Sequence, residues 1–299
     1  MESRCPSLSR HTVAEAETPK FDWNRQESDR VTTPLTWTAS PESGDLLEAR
    51  SDRVALVRLN RPQLRNALGA DLLVALTGAL ERLDGDDGVH VIVLTGGERF
   101  FAAGADIAAM AGASTAEMTA RPQLGCWQRL RQLRKPLIAA VNGYALGGGA
   151  ELVWLCDLVV AGESAKFGQP EIALGIMPGG GGTQRLPKTI GKARAMEIVI
   201  LGEPISSWDA LDLGLANRVV PDELALTAAL RLAQQVAAKS IAATTSAKAA
   251  VVASFDLPIE QGLIRERAGF NALFDTPDAQ EGIAAFLEKR KPVFGRPPS

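Results

Sequence analysis

Residues 143–157 read GYALGGGAELVWLCD. Three consecutive glycines, Gly147, Gly148 and Gly149, lead into an apolar run that holds a single carboxylate, Glu151. A buried carboxylate is costly unless it has partners, so this glutamate needs an explanation. The segment before the glycines, PLIAAVNG, has the length and composition of a strand, and DLVVAG after it reads the same way. Strand, glycine run, helix and strand in succession indicate an α/β layered domain.

The pattern extends outward on both sides. LLEA and VALVRLN are strand-like runs around the turn RSD. Leu72, Leu73, Leu76, Leu80 and Leu83 recur at helical spacing within GADLLVALTGALERLDGD. VHVIVLTGG is a buried strand ending in glycines, and FFAAGADIAAM is a loop running into a helix. STAEMTARPQLGCWQRLRQLR is helical with a break near Arg121-Pro122. Beyond about residue 190 helices dominate, with NRVV as a short exception. The expected organisation is an N-terminal extension over residues 1–45, an α/β core over 46–200 and a helical region over 201–299. The extension is polar, carries four prolines and lacks periodicity, so it is expected to be disordered or loosely docked. Phe21, Trp23 and Trp37 are the side chains that would anchor it if it docks.

Composition excludes several classes. The chain has 299 residues, is 46% hydrophobic and carries a net charge of −3, which leaves no basic footprint for nucleic acid. Cys5, Cys126 and Cys156 form no CxxC pair or disulfide framework, so a reducing, cytoplasmic location is expected. His11 and His90 are the only histidines, and no metal site is expected. Residues 136–156 are long enough to span a bilayer, and GYALG fits the GxxxG helix-pairing pattern. However, Asn142 and Glu151 lie inside this segment, and a mid-membrane acid costs roughly 2.5–3.5 kcal/mol on insertion scales. No membrane partner is expected. The N-terminus has no apolar signal region, and Glu2, Glu15 and Glu17 argue against a transit peptide.

Glycines between a strand and a helix often cradle phosphate, but the specific motifs fail. NGYALGGGAE contains no GxGxxG, and GIMPGGGGTQR lacks the Lys followed by Ser or Thr of a P-loop. The other use of such loops is an oxyanion site. The first N–H groups of a helix lack intrahelical partners and sit at its positive end. The loops at GGGAEL and FAAGADI could each donate one backbone N–H to a carbonyl oxygen that gains negative charge. Glu151 and Glu171 would then serve as acid and base. The residues alone leave a structural reading open for each. Both glycine clusters suit tight turns. Glu151 and Glu171 suit first-turn acids of helices, the latter after Pro170. Asp106 suits a cap, and Asn66 reads as structural.

NRPQLRNAL, FAAGADI, KPLIAAVNGYALGGGAEL, CDLVVAGESAKFGQPEIALGIMPGGGGTQRLP and EKRKPVF, in this order from about Leu46 to Phe294, resemble the enoyl-CoA hydratase (crotonase) family. The resemblance implies a spiral of ββα units with a C-terminal helical subdomain, assembled as homotrimers or dimers of trimers. It implies an acyl-CoA thioester substrate and no cofactor beyond the CoA of that substrate. The carbonyl oxygen would lie between the N–H groups of Ala105 and Gly148. Glu151 would help activate a water, and Glu171 would protonate C2 of a 2-trans-enoyl-CoA. Ala103, Asp106, Gly147 and Lys289 would border the substrate or its CoA, Lys289 from a neighbouring subunit. An enoyl-CoA isomerase or another acyl-CoA enzyme of the family is the alternative, since a double-bond shift can proceed with one carboxylate. Ala150 departs from the Cys carried by many relatives, and residues 1–45 fall outside the resemblance.

Overall fold

The computed structural model describes residues 35–295, which belong to one compact unit beginning at Leu35. The reading of residues 1–34, with Phe21 and Trp23 as anchors, lies outside the described residues. The strands are β1 (Thr38–Ala39), β2 (Leu46–Ser51), β3 (Val54–Leu59), β4 (Val91–Thr95), β5 (Phe100–Ala102), β6 (Leu137–Val141), β7 (Tyr144–Leu146), β8 (Leu158–Gly162), β9 (Lys166–Gly168), β10 (Ile205–Ser206) and β11 (Arg218–Val220). The helices are α1 (Ala70–Gly85), α2 (Thr115–Thr119), α3 (Gln123–Leu130), α4 (Gly148–Leu155), α5 (Gly182–Ile190), α6 (Lys192–Leu201), α7 (Ser207–Asp212), α8 (Ala225–Ala237), α9 (Ile241–Ala253), α10 (Ile259–Leu273) and α11 (Pro277–Leu287).

Two sheets share the strands. The larger runs β1-β2-β3-β4-β6-β8-β11 and the smaller β10-β9-β7-β5. β2 and β3 pair antiparallel around the expected turn, whereas β3, β4, β6, β8 and β11 pair parallel. Every residue of β4 and β6 is buried, as expected for parallel strands covered on both faces. Successive pairs β4/β5, β6/β7 and β8/β9 each place their first strand in the large sheet and their second in the small one. A helical stretch follows each pair, so the chain winds as a spiral of ββα units. Gly143 shows why the turns need glycine. Its φ is 61°, and a methyl group there would lie 2.0 Å from the Arg99 carbonyl oxygen of the preceding unit. The leucines of α1 at positions 72, 73, 76, 80 and 83 are all buried, as their spacing predicts.

The membrane-length segment 136–156 is divided among β6, β7 and α4, and no helix among the described residues is long and apolar enough to cross a membrane. Two expectations need correction. FAAGADI does not open an α-helix, because β5 leads only to a single tight turn at Ala108–Met110. The boundary at residue 45 is about ten residues late. β1 pairs with β2, the Arg58 guanidinium lies over the Trp37 ring at 5.6 Å, and Arg82 bridges Glu42 (2.8 Å) and Glu48 (2.5 Å). Truncation to residue 44 should therefore lower the melting temperature below that of a truncation to residue 34. Equal melting curves for the two truncations would show that β1 and the Arg82 cluster contribute nothing.

Candidate active site

The site is built where three chain segments meet at the start of α4. The first is the loop after β5, which carries Ala103, Gly104 and Ala105. Asn66 holds it from below: its Nδ2 donates to the carbonyls of Phe100 (3.2 Å) and Phe101 (3.1 Å), and Leu68 N–H donates to Gly104 O at 2.7 Å. Ala103 N–H is spent on Arg65 O at 3.0 Å. The second is the glycine run. Gly147 adopts a φ of 51° and donates to Gly168 O at 2.8 Å. A methyl group on Gly148 would lie 3.9 Å from the Ala105 nitrogen. Among the described residues neither the Ala105 nor the Gly148 N–H donates a hydrogen bond. Two unspent donors this close, one of them at a helix N-terminus, can share one oxygen and stabilise charge on it.

The third segment supplies the carboxylates. Glu151 is 2% exposed. Its Oε1 accepts the N–H groups of Gly180 (2.8 Å) and Gly182 (2.7 Å) at the start of α5. So the glutamate does sit in a first turn, but the helix end that holds it belongs to α5 rather than α4. Burial raises its pKa, while the hydrogen bonds from Gly182 and Gly180 and the Arg185 charge oppose the shift. Arg185 also fixes the loop by donating to Gly180 O at 2.8 Å. The run at 180–182 is thus an anion cradle after all, although it lacks the Lys of a P-loop, and its anion is this chain's own carboxylate.

Glu171 lies on the other side of Gly147, in the short helical turn Pro170–Leu174. A methyl group on Gly147 would lie 2.9 Å from Glu171 Oε1. Glu171 Oε2 is buried and accepts no hydrogen bond among the described residues. Burial and the nearby Glu151 charge push its pKa up to about 7, against the opposing pull of its own backbone N–H. The two glutamates therefore differ in kind. One is held by two N–H groups of a neighbouring loop, and the other, with one oxygen unpartnered among the described residues, takes a proton more readily.

Sequence reasoning missed four contributors. Trp127 of α3 and Leu68 close over the donor: a methyl on Gly148 would lie 3.7 Å from Trp127 Cζ2 and from Leu68 Cδ1. Buried Gln169 donates to Gly147 O at 3.1 Å, and its Oε1 accepts nothing among the described residues. Arg185 is the fourth. Only Gln169, a polar residue between a strand and Pro170, carried a visible signal. Asp106 caps the Ala108–Met110 turn through Ala109 N–H (3.2 Å), as its capping reading predicts. Lys289 stands apart, exposed just past α11 with φ 56°, and no hydrogen bond of the site involves it.

The sequence profile of the family described as enoyl-CoA hydratase/isomerase matches residues 49–297. The chain belongs to this family. It is 51% identical over 253 residues to the 2,3-dehydroadipyl-CoA hydratase of Escherichia coli (strain K12), covering 84% of this chain and 98% of that one. It is 47% identical to a probable enoyl-CoA hydratase of Rhizobium meliloti (strain 1021), covering 83% and 97%. The crystal structure of an enoyl-CoA hydratase from Bacillus anthracis superposes with a TM-score of 0.80 at 36% identity, covering 84% and 98%. The ββα spiral with its helical C-terminal part is the crotonase fold, and the chain is an enzyme of the hydratase type.

Proposed function

We propose that the enzyme adds water across the 2,3 double bond of a 2-trans-enoyl-CoA to give a 3-hydroxyacyl-CoA. The observation that carries this reading is the pair of unlike glutamates beside two unspent N–H donors. The thioester oxygen accepts from Ala105 and Gly148. Ionised Glu151 takes a proton from a water held between the two carboxylates, and the water oxygen bonds to C3. The electron pair of the double bond moves toward the thioester, where the two donors stabilise the enolate oxygen. Protonated Glu171 then gives its proton to C2. Each glutamate ends in the protonation state the other began with, and proton exchange with solvent resets the pair. No cofactor beyond the CoA of the substrate enters this scheme. Exposed apolar side chains on the C-terminal helices, including Ile264, Phe286 and Leu287, support a closed trimer or dimer of trimers in which Lys289 reaches a neighbour's CoA. Light scattering tests that assembly.

The test of the reaction is loss of the conjugated enoyl-thioester absorbance with identification of the 3-hydroxy product. Fast conversion of a 3-enoyl-CoA with negligible hydration would instead establish the isomerase. The pH profile is a sharper check. Glu171 must be protonated and its pKa is about 7, so kcat/KM should fall as pH rises through about 7. Glu151 must be ionised, so a second limb should appear at low pH. The limbs belong to the coupled pair, and Glu171→Gln should remove the upper one from its residual activity. A profile with no fall on the alkaline side would contradict the assignment of Glu171 as the acid.

A further inference from the structure

The hydratase reading leaves open which acyl chain the site accepts, and the next step rests on that reading. A cavity of about 200 Å³ opens beside the Ala105 donor. Leu68, Ala105, Met110 and Pro122 give it apolar walls, and Asp106 and Arg121 also line it. Arg121 is half-buried at the junction of α2 and α3. Its Nη2 donates to Ala109 O at 2.6 Å, and among the described residues it forms no ion pair. A guanidinium carries five N–H donors in a planar fork, so most of its capacity is unspent.

The two carboxylates near it are engaged elsewhere. Asp106 Oδ1 accepts Ala109 N–H at 3.2 Å. Glu117, close enough to feel the Arg121 charge, accepts Ser114 N–H at 2.7 Å and its hydroxyl at 2.8 Å through one oxygen. Neither carboxylate forms an ion pair with Arg121 among the described residues, and an arginine fork left with unspent donors matches a carboxylate in geometry. The Ala109 carbonyl held by Arg121 is four residues beyond Ala105. Full extension bounds that separation at about 14 Å, and the tight turn at Ala108–Met110 shortens it. Because Ala105 and Arg121 line one cavity of about 200 Å³, an acyl chain that enters it with its carbonyl on Ala105 runs toward Arg121.

We propose that this cavity receives the distal end of the acyl chain and that Arg121 pairs with a terminal carboxylate there. The preferred substrates are then 2-enoyl-CoA thioesters of dicarboxylic acids. The experiment compares two 2-trans-enoyl-CoAs of equal, short chain length, one ending in methyl and one in carboxylate. The full chain should show kcat/KM at least about tenfold higher for the carboxylate-ended thioester, the worth of one charge-assisted pair. Arg121→Met should bring the ratio to about one by raising KM for that substrate, and Arg121→Lys should keep part of it. Equal kcat/KM in the wild type, a ratio unchanged by Arg121→Met, or an equal loss on both thioesters would overturn the pairing. The last of these would mark Arg121 as a support for the Ala108–Met110 turn. A wild type that hydrates neither thioester overturns the hydratase reading instead. The ratio of the two binding affinities in wild type and Arg121→Met, read by calorimetry, then decides the Arg121 pairing.

Discussion

Glu151→Gln should lower kcat for hydration by about 10²–10⁴-fold, the usual worth of a positioned general base. The substitution keeps the shape of the side chain. Its amide oxygen can still accept from Gly180 and Gly182, which bond Oε1 of the native glutamate. What is lost is the oxygen that takes the proton of water. Binding of the acyl-CoA should change little, because the backbone donors at Ala105 and Gly148 remain. Folding should not suffer either. Burial raises the pKa of Glu151, so the folded state binds its proton more readily than the unfolded one. That contribution to stability is complete below the ordinary carboxylate range and is lost as pH rises through the folded pKa. A neutral glutamine escapes the loss, and Glu151→Gln should melt no lower than wild type at pH 8. A large drop in melting temperature together with the drop in rate would show that the charge holds the glycine loop, and would remove the catalytic interpretation.

Gly149→Ala should damage both the fold and the rate. A methyl group at Gly149 would lie 2.2 Å from the carbonyl oxygen of Ala102, a backbone atom with no freedom to rotate aside. This contact is where α4 meets β5, and it sets the distance between the two loops that carry Ala105 and Gly148. Relief requires α4 to shift. Overpacking of this kind costs about 1–3 kcal/mol and occasionally more. Displacing one oxyanion donor costs about 10²–10³-fold in rate. Thermal melts should therefore fall by several degrees, and kcat should fall even in the folded fraction at low temperature. A variant with wild-type rate would show that the close approach of the two loops is not needed.

The α/β layering was legible because apolar strands ending at glycines alternate with helices, whereas the spiral entered only through the family resemblance, since β5, β7 and β9 are three residues each and too short to show a period. β1 was not legible, because two residues in a polar stretch carry no periodicity and its anchoring depends on Arg58, Arg82 and Glu48 from distant positions. β10 was missed for the same reason, and β11 showed only as NRVV. Glu151 was visible as a charge within an apolar segment. Its partners were not, since the donors are N–H groups 29 and 31 residues away and a backbone donor leaves no mark in side-chain identity. The same limit applies to the GGGG run. Without the Lys of a P-loop its composition did not show that an anion is held, and a carboxylate of the same protein leaves no motif beside it. Trp127 reads as one more apolar position of a helix, and only the fold places it over Gly148 and Gly180.

In the proposed reaction Glu151 and Glu171 act on one water as a unit. The most direct measurement is the hydration rate of Glu151→Gln, Glu171→Gln and the double variant, with 3-hydroxyacyl-CoA identified as the product. Each single variant should lose about 10²–10⁴-fold, and the double variant should lose less than the product of the two, because groups acting as a unit are not additive. Losses that multiply, or robust hydration by Glu151→Gln, would contradict that joint action.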